Sequence, residues 1–298
     1  MATAIQLQAL TKQYANGRGI FDLSFSVAPG ELFGYLGPNG AGKSTTIKSL
    51  MGFLTPERGS ATINGQDVTT QSVAVRSQVG YLPSDLFLYD AMSGLEQISL
   101  SLQARGQSDL SRAKQIADRL EVDLGRKVKT LSRGQRQKVA ITLAMAHDPA
   151  VLLFDEPTTG LDPMAQEILH GLMREEAGRG KTILFSSHIL SEVEALCDRV
   201  AIIRDGRIVT VDQIARLKQN RVKRVSVEFT GPAPDLASIE GVREWKAESA
   251  TRASFAWVGA PRALLTLLAA HDLTNIQIQD PSLEEVFMTF YASSKEER

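Results

Sequence analysis

At 298 residues the chain is long for one domain, and its 43% hydrophobic content is enough for a substantial core with a smaller unit beside it. Lys and Arg number 33 against 34 Asp and Glu, so a formal net charge of −1 excludes a global pull toward nucleic acid or anionic lipid. One cysteine, Cys197, excludes an intrachain disulfide framework, and its apolar helical surroundings suit a small buried hydrophobe.

The amino terminus shows no charged-then-apolar leader, and Ala4 to Leu10 reads as an ordinary first strand. Through about Val68, short apolar runs alternate with the turn signals Asn16-Gly17, Pro29-Gly30 and Asn64-Gly65, which predicts a β-rich lobe of antiparallel hairpins. Inside that lobe the apolar run Leu32 to Leu36 reads as a buried strand. It leads directly into Gly37-Pro38-Asn39-Gly40-Ala41-Gly42-Lys43-Ser44-Thr45, a complete G-x-x-x-x-G-K-[ST] loop, and a helix over Lys43 to Leu50. Such a loop turns successive backbone N–H groups inward as an anion nest at a helix start. Lys43 then reaches the β and γ phosphates of a nucleoside triphosphate, and Ser44 offers its hydroxyl to Mg²⁺.

From about Leu86 to Ala150 the spacing becomes helical, with Leu95, Ile98 and Leu102 on one stripe and Ile116, Ala117 and Leu120 on another. Val151 to Phe154 and Thr182 to Phe185 are short apolar runs separated by a helical stretch, the pattern of parallel strands whose carboxyl ends carry the chemistry. The best apolar run, Val139 to Phe154, is broken by His147, Asp148 and Pro149, so no membrane-spanning helix is expected. Ala201 to Val209 reads as a hairpin on Asp205-Gly206, and the basic stretch Lys218 to Arg224 marks a boundary, giving domains 1–218 and 219–298. In the second domain, strands near Val225–Phe229, Arg243–Glu248, Ala253–Val258 and Ile276–Gln279, a helix Pro261–His271 and a terminal helix Ser282–Tyr291 suggest a small α+β, ferredoxin-like sandwich. There is no second phosphate loop, hence no internal duplication.

Asp155 and Glu156 end the strand Val151 to Phe154 as adjacent carboxylates, a costly pair at a strand end unless a cation and a reacting water share the load. Asp155 suits Mg²⁺ through water, and Glu156 suits the polarisation of a water attacking a γ phosphorus. The competing reading is that both merely cap the next helix. His188, at the end of Ser186-Ser187-His188, competes likewise between an active-site role and a satisfied core histidine; His147, His170 and His271 have no such context.

With Leu131-Ser132-Arg133-Gly134-Gln135 before that pair, and Gly160-Leu161-Asp162 and His188 after it, the region from Ile5 to Val209 resembles the ABC ATPase family. The resemblance implies an α/β P-loop NTPase fold, with a mixed sheet, an antiparallel β lobe and a helical subdomain, followed here by the small α+β domain. It implies ATP with Mg²⁺. Gly37, Asn39, Gly40, Gly42, Lys43, Ser44 and Thr45 would hold the phosphates, and Tyr14, otherwise a hairpin aromatic, would stack on adenine. Asp155 and Glu156 would form the second acidic motif, and His188 the γ-phosphate switch. Ser132, Gly134 and Gln135 would form the signature and Asp162 a dimer contact. A helix start at the signature needs an anion that its own loop does not supply, so two copies would sandwich ATP, Lys43 of one facing Ser132 and the Gly134 N–H of the other.

Two positions depart from the family pattern. Arg133 stands where glycine is usual, and is expected to be tolerated. Ser84, in Gly80-Tyr81-Leu82-Pro83-Ser84-Asp85, stands where glutamine or glutamate usually helps hold the metal, so either Asp85 substitutes or a water fills the gap. The signature and Pro281 to Phe287 look most like ABC-2 type exporter subunits. That implies a second ATPase subunit and a separate permease, with the protein peripheral on the cytoplasmic side of the membrane and no nucleic-acid partner. Leu86, Phe87, Leu88 and Tyr89 are either apolar docking anchors or core. Alternatives are a soluble ABC clamp on ribosome or DNA, and a sensor without turnover, which retention of Glu156 and His188 disfavours.

Overall fold

The computed structural model describes residues 3–219 and 223–279. The chain divides into two compact units, Met1–Asp212 and Gln213–Arg298. The first unit opens with strands β1 (Ile5–Gln13), β2 (Gly19–Val27) and β3 (Leu32–Leu36), then helix α1 (Lys43–Leu50), strands β4 (Arg58–Ile63) and β5 (Gln66–Asp67), helix α2 (Ser72–Gln78) and strand β6 (Val79–Leu82). Helices α3 (Gly94–Gln103), α4 (Ser111–Arg119) and α5 (Arg133–Met145) follow, and then strand β7 (Val151–Asp155), helix α6 (Pro163–Gly178), strand β8 (Thr182–Ser187), helix α7 (Leu190–Leu196) and strands β9 (Arg199–Arg204) and β10 (Arg207–Gln213).

One sheet has the order β2-β1-β4-β5, and the other β10-β9-β3-β8-β7-β6, parallel from β9 through β6. Every residue of β3, β7 and β8 is buried, as expected of parallel strands covered on both faces. A core of β1 and β2 residues such as Ile5 and Leu23, with Phe33, Ile47 and Leu153 from the second sheet and α1, fills the space between the sheets. Phe25 stacks on Phe33 at a centroid distance of 5.6 Å.

The turns follow their residues with one exception. Asn64 and Gly65, and Asp205 and Gly206, all take positive φ, the two-residue hairpin geometry that matches strand twist. Pro29-Gly30 does not make a hairpin. It forms a turn closed by the Glu31 N–H donating to the Ala28 carbonyl at 3.2 Å, with Gly30 at φ 75°, and it carries the chain from the first sheet into the second.

The second unit contains α8 (Ile214–Gln219), β11 (Lys223–Phe229), β12 (Val242–Ala247), β13 (Arg252–Trp257), α9 (Pro261–Ala269) and β14 (Leu273–Gln279). The division between the units falls after Asp212, close to where β10 passes into α8. Strand order β12-β13-β11-β14, antiparallel at each pairing, is that of a ferredoxin-like sheet, but the link from β11 to β12 contains no helix. Leu264 and Leu268 of α9 pack on Val225, Val227 and Phe255. The expected helix Ser282–Tyr291 lies outside the described residues.

Candidate active site

The phosphate loop joins the end of β3 to α1, whose N-cap is Gly42 at φ 111° with no side-chain cap. A Cβ on Gly42 would stand 2.8 Å from Ile20 Cγ2, so both conformation and space require glycine. The uncapped first-turn N–H groups are a ready anion site. Lys43 is 4% exposed; its Nζ donates to the carbonyls of Gly37 at 2.6 Å and Pro38 at 3.1 Å and lies 3.1 Å from Glu156 Oε1. The cleft over this loop, about 440 Å³, is lined by Asn39, Gly40, Gly42, Ser44 and Thr45, by Tyr14 and Asn16 from the β1–β2 turn, and by Ser84 and Glu156. Tyr14 is 40% exposed, with its hydroxyl 3.5 Å from Thr45 Oγ1, which places an open aromatic face at the cleft edge rather than in the core.

Parallel register brings the strand ends together. Leu36 pairs with Ser187 and Asp155 with Ser186, so Gly37, Glu156 and His188 emerge side by side. Ser186 Oγ donates to Asp155 Oδ1 at 2.6 Å and accepts the Glu156 N–H at 3.1 Å. Glu156 sits at φ 52°, a strained conformation for a side chain with a Cβ, which turns its carboxylate over the loop. His188 Nδ1 lies 2.9 Å from Glu156 Oε2, and the His188 side chain is 42% exposed, so it is no core histidine. Neither carboxylate caps the following helix. That role belongs to Asp162, whose Oδ1 accepts the Ala165 N–H at 2.9 Å, a bond that lowers its carboxyl pKa.

Asp155 is fully buried and its Oδ2 has no hydrogen-bond partner, an orphaned acceptor that fits a cation or its water. Among the described residues no group of three or more His, Cys, Asp or Glu could form a metal cage. Asp155 does not line the cleft itself, but a carboxylate, the Ser44 hydroxyl and a phosphate nest are the kinds of donor that a Mg²⁺–nucleotide would take. Ser84 lines both the cleft and a neighbouring groove, and Asp85 lines that groove with Arg133, Gln137 and Thr159. Asp85 still acts at a distance: burial, then the charges of Asp155 and Asp85, push the Tyr81 phenol up.

Ser132, Gly134 and Gln135 do not line the cleft. They begin α5 with a capping box in which Ser132 Oγ accepts the Gln135 N–H at 3.3 Å and Gln135 Oε1 accepts the Ser132 N–H at 3.1 Å. A Cβ at Gly134 would approach the Gly160 carbonyl oxygen to 2.9 Å, so glycine lets the helix start close against the loop after β7. Arg133 extends along Gly160 and lines the groove, away from the phosphate loop of its own chain. Cys197 is buried and its thiol pKa is pushed well up by that burial, as suits an inert hydrophobe.

Residues 20–159 match the family described as ABC transporter. The chain is 31% identical to Nod factor export ATP-binding protein I of Rhizobium etli over 96% of its own length and 92% of that protein. The chain belongs to the ABC transporter ATP-binding family. It is also 30% identical to linearmycin resistance ATP-binding protein LnrL of Bacillus subtilis, covering 95% of this chain and 97% of that one. A solved ATP-binding subunit of an ABC transporter superposes with a TM-score of 0.67 at 32% identity, over 73% of this chain and 92% of the other. This ABC ATPase therefore binds and hydrolyses ATP, and it serves a transporter rather than acting as a ribosome or DNA clamp.

Residues outside the motifs help hold the motifs of this ATPase in place. Ser186 and Ser187 organise both acidic residues and the histidine turn, and their signal was the Ser-Ser pair directly before His188. Gln137, buried on α5, donates to the Pro157 carbonyl at 2.8 Å and so ties the signature helix to the segment after Glu156. The S-x-x-Q spacing of the capping box was equally visible in Ser132 and Gln135.

Proposed function

We propose that this ABC ATPase is the hydrolysing subunit of an ABC-2 type exporter, working as a pair on a separate membrane permease. The observation that carries the site reading is the Glu156 carboxylate, held between Lys43 Nζ at 3.1 Å and His188 Nδ1 at 2.9 Å at the carboxyl end of the parallel sheet. Glu156 then serves as general base toward a water, Lys43 stabilises the β and γ phosphates, and His188 senses the γ phosphate and orients Glu156. Gly37, Asn39, Gly40, Gly42 and Thr45 supply the nest, and Tyr14 an adenine platform. Ser44, Asp155 and Ser84 would hold Mg²⁺, whose chemistry when bound is neutralisation and orientation of phosphate oxygens.

The signature residues support pairing. Ser132, Gly134 and Gln135 open a helix of 13 residues whose first-turn N–H groups have no intrahelical carbonyl, yet they stand outside their own chain's nucleotide cleft. An ATP held by a second copy completes them, with Asp162 at the contact, and cleavage of its γ phosphate releases the clamp. The names of the relatives, Nod factor export and linearmycin resistance, support export. No helix among the described residues is long and apolar enough to cross a membrane, and attachment on the cytoplasmic side through a permease fits that. Phe87 and Tyr89, 80% and 56% exposed with rings 5.6 Å apart, are the docking anchors.

The test is Glu156→Gln. This variant binds ATP and scatters light as a trapped dimer while hydrolysis drops by about 10²–10⁴, the range for losing a general base. Turnover at the wild-type rate overturns the assignment.

A further inference from the structure

Ser187 closes the strand that delivers His188, and its side chain is 98% buried, since 2% is exposed. Several bonds converge on this residue, the longest of them from its hydroxyl to the Ile189 carbonyl at 3.4 Å. Its carbonyl accepts the Gly37 N–H at 3.2 Å, so the first residue of the phosphate loop is tied to it. Its hydroxyl oxygen accepts the Ile189 N–H at 2.9 Å, closing the turn around His188. Its hydroxyl proton goes to Glu192 Oε2 at 2.7 Å, and Glu192 is itself a buried carboxylate, 7% exposed, on α7. His188 has no comparable support of its own. Its side chain is 42% exposed, and the contact that the structure gives its ring is Nδ1 to Glu156 Oε2.

We infer that Glu192, acting through the Ser187 hydroxyl, is a positioning residue that fixes the His188 turn and thereby sets the alignment of His188 with Glu156. The inference rests on the reading of His188 given above and deepens it. A short bond from a buried carboxylate to a hydroxyl is the strong, charge-assisted kind, and it fixes which way the hydroxyl proton points. With the proton committed to Glu192, a Ser187 lone pair faces the Ile189 N–H, so the two bonds orient each other. Rotation of the turn would break both. A buried carboxylate next to a strand end is also a poor choice for stability alone, because an apolar side chain could fill the same space without desolvation cost. The bond geometry supplies a reason for it.

The experiment compares steady-state ATP hydrolysis, nucleotide affinity and thermal midpoint in the full chain for Glu192→Ala, Glu192→Gln, Ser187→Ala and His188→Ala, and for Glu192→Ala with His188→Ala. Displacing the turn by about 1 Å lowers kcat by about 10- to 100-fold with ATP affinity kept. Glu192→Gln keeps an acceptor oxygen and recovers most of the turnover. In the His188→Ala background, Glu192→Ala has no further effect on kcat, because the route it acts through is already gone. Ser187→Ala cuts the same link with a smaller change in volume, and reproduces the loss if Glu192→Ala proves too unstable to measure. Wild-type kcat in Ser187→Ala, or the same fold-loss from Glu192→Ala with and without His188, overturns the inference. Wild-type kcat in His188→Ala overturns the reading of the histidine itself, and this inference falls with it.

Discussion

Ser186→Ala removes a hydroxyl that is fully buried and doubly used, and its effect can be worked from the geometry. The oxygen donates to Asp155 Oδ1 at 2.6 Å and accepts the Glu156 N–H at 3.1 Å. The second bond is partly insured, since the Glu156 N–H also reaches the Ser186 carbonyl at 3.2 Å. The first is not: Asp155 Oδ2 already has no partner, so the variant leaves a buried carboxylate without the bond that the structure gives it. A hydrogen bond to a charged group contributes about 1.5–3 kcal/mol, and a unit of this size loses roughly 2–4 °C of thermal midpoint per kcal/mol. The nucleotide-free variant should therefore melt about 4–8 °C below wild type for a loss of about 2 kcal/mol. Scanning calorimetry without nucleotide or Mg²⁺ reads this directly. A midpoint within about 1 °C of wild type would mean that Ser186 does not hold Asp155, and the account of the strand end would fail.

Gly42→Ala puts a Cβ 2.8 Å from Ile20 Cγ2 at a backbone φ of 111°, so we expect a loss of about 1–3 kcal/mol in denaturant unfolding together with lost ATP binding. Unchanged ATP affinity would show that the loop does not need this conformation. Burial first, then the Arg105 charge, lowers the His147 pKa from 6.5 to about 4. The unfolded chain thus takes up a proton near pH 6.5 while the folded protein does not, and stability is lost as pH falls from 6.5 toward 4, by up to about 3 kcal/mol. His147→Gln should flatten that part of the stability profile; an equally steep profile would place the titration elsewhere.

What the sequence made legible was local. The phosphate loop needs only neighbouring residues to be recognised, and α1 begins and ends at the residues its spacing indicates, Lys43 and Leu50. The Asn64-Gly65 and Asp205-Gly206 turns are similarly self-contained, with both residues of each at positive φ, whereas at Asn16-Gly17 the glycine alone takes it. Pro29-Gly30 misled for the converse reason. A Pro-Gly turn specifies its own dihedrals but not which sheet receives the outgoing strand, and here β3 is drawn into the parallel sheet by Phe33 and Tyr35 packing under Phe25.

Strand order and register are the part that no local pattern contains. Gly37, Glu156 and His188 are far apart along the chain, yet they meet because β3, β8 and β7 are successive neighbours in the sheet and end at the same level. In a parallel sheet, all carboxyl ends lie on one side, so a site built there collects one short segment from each strand. Those segments must then be held against one another, and the motif residues are not alone in doing it. Lys43 and Glu156 each contribute a charge, but the backbone of Ser187 ties the loop to β8, and Ser186 ties β7 to β8. Of β3, β8 and β7, it is β8 that touches both of the others. It follows that the residues aligning the site should lie at the end of β8, where Ser186 and Ser187 stand, although the chemistry is delivered from either side.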